Sequence, residues 1–149
     1  MAHHGVRAAF SRAWAKGGHV NAVECRIDQT AGMTVIRCLG DLDGAVVLRH
    51  LRAFWEQHPE IVDTNCVVDV RHYVGNMSFA HIKAIAMAWY GFSGRRDVRR
   101  RTAIVSADRF AALLMKAVGV LFDTRDLKLF RDIDEADRWC REGAHGAVE

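Results

Sequence analysis

His72, Tyr73, Asn76, Ser78 and His81 crowd one short stretch of the chain, directly after the apolar run 66–70 that carries Asp69. Hydroxyl, imidazole and carboxylate are the groups of a nucleophile–base–acid system. A Ser/His hydrolase centred on Ser78 with His72 or His81 is therefore the enzymatic reading. The spacing argues against it, because Ser78 lies in no Gly-x-Ser-x-Gly elbow and no oxyanion loop is evident. The same residues suit the rim of an apolar pocket, where a few polar groups converge on apolar walls. The carboxyl end of a parallel strand is also where open α/β sheets commonly bind ligands. Binding without catalytic residues is the expectation.

Ser78 has two further readings. A phosphate on it would meet the free backbone N–H groups and the positive end of a helix. As a plain N-cap it would contribute about 1 kcal/mol to stability. Trp89, Tyr90 and Phe92 form the second candidate group, together with Met87. Bulky side chains on consecutive turns cannot all face one way, so some are expected to point toward an interface or an apolar cleft.

These residues need elements to position them, and hydrophobic periodicity supplies them. Segments 23–28 and 33–39 alternate around Gln29-Thr30-Ala31-Gly32, a hairpin pattern. With Asp28 opposite Met33, Cys25 faces Ile36 and Val23 faces Cys38, and Glu24 sits across from Arg37. Asp43 then caps a helix with Val47, Leu48, Leu51 and Trp55 on one stripe, and Pro59 closes the region. Residues 66–70 read as a buried central strand. Ser78 opens a helix carrying Ile82, Ile85, Ala86 and Trp89, which Gly91 and Gly94 end. Residues 102–105 form the next strand, and the helix after it is expected to bury Phe110, Leu113, Leu114, Ala117 and Val118. A last strand over 126–130 precedes a helix burying Ile133, Ala136, Trp139 and Cys140, with Asp132 and Glu135 at capping-box spacing. A hairpin followed by helix–strand units implies an α/β fold with a mostly parallel five-stranded sheet, an antiparallel first strand and about four helices.

Several segments in this order resemble a known family. Gly40-Asp41-Leu42-Asp43 is similar to the Gly-Glu-Leu-Asp motif opening the first helix of STAS domains. Val67-Val68-Asp69-Val70 resembles their strand-plus-Asp signature. Residues 101–105 and 127–136 are similar to the bacterial SpoIIAA-like (STAS/SEC14 domain) proteins, and the resemblance spans residues 22–142. It implies a SpoIIAA-like fold and a non-enzymatic, regulatory role through a protein partner or a homodimer. The SEC14-like side of the family implies the alternative, a carrier or sensor of a small, lipid-like apolar ligand. Antagonists of this family carry a phosphoacceptor serine where this chain has Met77, with Asn76 and Ser78 on either side. The cap is accordingly the preferred reading of Ser78.

Composition narrows the remaining classes. Residues 1–23 hold Arg7, Arg12 and Lys16 and no acid, and the rest of the chain balances 18 basic against 18 acidic side chains. The net charge of +3 therefore comes from a basic leader over 1–21, and 22–149 is the domain. Segment 6–16 of the leader has Val6, Phe10 and Trp14 at helical spacing. A balanced domain argues against a nucleic-acid partner. The run Arg95, Arg96, Arg99, Arg100 and Arg101 is expected to be neutralised by the acids of the last third. Cys25, Cys38, Cys66 and Cys140 show no metal-ligand spacing and read as small buried hydrophobes, so no cofactor or metal is expected. No apolar run reaches the length of a membrane span or a signal peptide, which points to a cytoplasmic protein.

Overall fold

The hairpin forms in the expected register. Strands β1 (Ala22–Asp28) and β2 (Met33–Gly40) are antiparallel, with Asp28 opposite Met33, Cys25 opposite Ile36 and Val23 opposite Cys38. Gly32 takes a positive φ of 62° in the turn, where a Cβ would be strained. The Asp28 carboxylate accepts the Ala31 N–H at 3.1 Å and fixes the same turn. This is a computed structural model describing residues 21–107 and 110–146. The leader helix over 6–16 lies outside them, and so do the side chains of Phe110, Leu113, Leu114 and Ala117 expected to be buried.

The remaining strands are parallel. After β2 come α1 (Gly44–Gln57), a 3-10 turn (Pro59–Asp63), β3 (Asn65–Tyr73), α2 (Phe79–Ser93), β4 (Arg101–Val105), α3 (Phe110–Leu121), β5 (Asp126–Phe130) and α4 (Ile133–Gly146). Asp43 caps α1 by accepting the Ala45 N–H at 2.8 Å. Helix α2 runs through Gly91 and ends at Gly94 alone, whose φ of 59° supplies the left-handed C-cap. Asp132 caps α4 through the Asp134 N–H at 2.8 Å.

The strand order is β1-β2-β3-β4-β5, so every parallel strand joins on the same edge. Crossovers of one hand then put α1, α2 and α3 on a single face of the sheet, and α4 returns across the other. Each face has its own core. Ile36 and Cys38 pack with Val47, Leu51, Trp55 and Trp89. On the opposite face Met33, Val67, Ala103 and Val105 pack with Ala136 and Cys140 of α4. The four cysteines are free thiols; Cys38 and Cys140 are buried as expected, Cys25 and Cys66 only half-buried, and desolvation raises the pKa of each. No helix among the described residues is long and apolar enough to cross a membrane.

Candidate functional site

The two faces differ in how well they are filled. Val67 of β3, turned toward α4, is wholly buried. Its neighbour Val68, turned toward α1–α3, is only partly buried although it sits on the central strand. Beneath the three helices lies a cavity of about 240 Å³, partly open to solvent, with almost entirely apolar walls. The sheet forms its floor through Ile36, Val68 and Ile104, while Leu51, Ile85 and Val118 approach from the helices. Protein interiors seldom contain voids larger than a water molecule, so a space of this size is a candidate ligand pocket.

The polar residues singled out by sequence lie at the carboxyl end of β3, and they tie loops together. The Tyr73 hydroxyl donates to the Leu42 carbonyl at 2.5 Å. Gly44 N–H donates to the Asn76 carbonyl at 3.2 Å, and Val74 N–H to that of Gly40 at 2.9 Å. The segment after β2 is thereby bound to the segment after β3. Gly75 is required at this crossing, because a Cβ there would lie 2.0 Å from the Leu42 oxygen. A sheet whose strand order never reverses also has no switch-point crevice at this end. Met77 turns inward and contributes to the cavity wall.

Ser78 and His81 form a reciprocal capping box. Ser78 Oγ accepts the His81 backbone N–H, and His81 Nδ1 accepts the Ser78 N–H, both at 3.2 Å. Nδ1 as acceptor leaves the proton on Nε2, which lies 3.6 Å from the Asp43 carboxylate. The imidazole also rests against Gly44, so it joins the N-termini of α1 and α2. Asp69, the third member of a hydrolase triad, is instead held by Arg71 in a two-point contact at 3.0 Å and lies 3.8 Å from Arg37. His72 is exposed, and desolvation lowers its pKa against the opposing pull of Asp69.

The aromatic group on α2 divides. Trp89 is buried, lines the cavity and meets Trp55 of α1 edge to face at 5.1 Å. Phe92 stacks on Trp55 at 5.9 Å. Tyr90 reaches sideways to the segment after α3. Its hydroxyl contacts the Leu121 carbonyl and accepts the Asp123 N–H at 3.0 Å, while Arg95 covers its ring and bonds Asp123 at 2.8 Å. Met87 points outward and is 61% exposed, as the crowding of this helix end required.

Sequence reading missed Asp97 and Arg125. Asp97 looked like the one relieving charge in an arginine run, yet it is completely buried. It accepts the Trp89 indole N–H at 2.7 Å and pairs with Arg125 at 3.3 Å. Arg125 also bonds the Thr102 hydroxyl and the Thr64 carbonyl, each at 2.7 Å, and so lines the cavity at the amino end of the strands. The only sequence signal was an acid among bases with a tryptophan eight residues earlier. Within the run, Arg95 pairs with Asp123 as the charge balance predicted, whereas Arg101 packs over the Trp139 ring at 4.8 Å.

No family profile matches this chain, and no curated protein sequence is similar to it. Among solved structures it is similar to an uncharacterized protein from the DUF3478 family with a SpoIIAA-like fold, from Shewanella loihica PV-4. The two superpose with a TM-score of 0.57 at 15% sequence identity, over 80% of this chain and 92% of the other. The chain thus has a SpoIIAA-like fold, as its motif order implied.

Proposed function

We propose that this protein is a non-enzymatic binding domain that holds a small apolar molecule between its sheet and the layer formed by α1, α2 and α3. The single observation that carries this reading is the apolar cavity of about 240 Å³. An engineered apolar cavity of about 150 Å³ is known to stay dry and to bind benzene, so the space here is ample for a ligand. Buried water is an unsuitable occupant, since it needs two or more polar partners.

The side chains that suggested other chemistry have structural employment that supports the same reading. Ser78 and His81 cap α2, Tyr73 ties two loops, and Asp69 is paired with arginine. Met77, which stands at the place of the family's phosphoacceptor, is part of the cavity wall. The protein-partner and homodimer expectations draw on the resemblance and on the outward-facing Met87, whereas the apolar-ligand expectation has a cavity beside it.

Native mass spectrometry of full-length protein purified from its own host tests the proposal. A small molecule that stays bound under gentle ionisation and is released by denaturation is the expected result. Protein of bare mass that also fails to bind the neutral dye N-phenyl-1-naphthylamine would overturn it.

A further inference from the structure

We infer that the ligand of this cavity is a compact, neutral aromatic molecule with no hydrogen-bonding headgroup inside the protein. The inference rests on the pocket reading proposed above and adds the chemical class of the occupant.

Among the described residues, the polar side chains lining the cavity are already bonded within the protein. The Thr34 hydroxyl bonds Thr64 Oγ1 at 2.7 Å, and Thr64 in turn donates to the Ile61 carbonyl at 2.6 Å. Thr102 Oγ1 accepts from Arg125 Nε. The Arg125 guanidinium is engaged by Asp97, the Thr64 carbonyl and Thr102, so its charge is already compensated. Deep in this space a carboxylate or phosphate would shed its hydration and gain no new partner among the described residues, which is strongly unfavourable. The thiols of Cys38 and Cys66 add no charge, since buried thiols stay protonated and are weak donors.

The walls also favour flat rings over saturated chains. Trp55, Trp89 and Phe122 present aromatic surface, and Cys38, Cys66 and Met77 present sulfur. Aromatic pairs gain beyond the area they bury, and sulfur makes favourable contacts at ring edges. By volume, a cavity of about 240 Å³ exceeds the one that takes a single benzene ring and suits a fused pair of rings.

A matched pair of probes tests this, naphthalene against 2-naphthoate, with binding to the full chain followed by NMR amide shifts and calorimetry. Naphthalene should bind saturably, and 2-naphthoate about tenfold or more weakly. Val68→Phe, which places a ring in the cavity, should weaken naphthalene binding by about tenfold or more while the thermal transition stays cooperative. Cys66→Met serves the same purpose if the phenylalanine variant does not fold. Should 2-naphthoate bind as tightly as naphthalene, with both lost on filling the cavity, the headgroup-free ligand is wrong and the pocket stands. Should neither probe bind, or should filling the cavity leave binding unchanged, the pocket reading falls and this inference with it.

Discussion

Val67 and Val68 are consecutive residues of the central strand, yet Val67 is wholly buried beneath α4 whereas Val68 remains partly open beneath α1–α3. Alternation along a strand sends them to opposite faces. The difference therefore measures how completely each helix layer covers the sheet. One face is a finished core, and the other retains space.

That asymmetry sets the response to larger side chains. Val67→Leu adds a methylene to a filled core and should destabilise the protein by about 1–3 kcal/mol. Val68→Leu extends into the cavity and should be neutral or stabilising. Urea midpoints at constant m-value distinguish the two, and equal losses would mean that both faces are equally packed.

The Asp97–Arg125 pair fixes the amino end of the cavity, where Asp97 also holds the Trp89 indole. Asp97→Ala leaves a buried guanidinium without its counter-charge and should cost about 3–5 kcal/mol. A change in urea stability below about 1 kcal/mol would show that the pair is dispensable.

Ser78 acts through its cap on α2. Ser78→Ala should lower stability by about 1 kcal/mol, and Ser78→Asp should retain most of it because aspartate is an equally good cap. Neither change should alter binding of an apolar probe. Loss of binding in Ser78→Ala with the fold intact would place Ser78 in the site.

The cysteines give a pH signature. Burial pushes the Cys38 thiol up to about 12 and that of Cys66 to about 11, from an ordinary value of 9.0. A raised pKa means that the folded state favours the protonated thiol. This contribution to stability is complete below pH 9 and is lost as pH rises through about 11 and 12. Iodoacetamide at pH 8 should accordingly modify both thiols slowly in the folded chain and rapidly in guanidinium, as mass spectrometry would report. Rapid labelling of native Cys66 would contradict its burial.

The fold was legible because its determinants are local. The alternation of Val23, Cys25 and Ile27 against Ile36 and Cys38 set the hairpin register, and Val47, Leu51 and Trp55 marked the buried stripe of α1. The position and size of the cavity were not legible, because the same residues show the same periodicity whether the layers touch or stand apart. A void is a property of the spacing between sheet and helices. The role of Asp97 was hidden for a related reason. Its partner Arg125 is 28 residues away, and only the parallel pairing of β4 with β5 brings them together.

Xenon tests the central claim most directly, since it enters dry apolar cavities without needing any polar partner. A crystal of the full chain held under xenon pressure should show an atom between Val68 and Trp89, beneath α1, α2 and α3, and none between the sheet and α4. A filled space beneath the three helices, with no xenon bound there, would contradict the account.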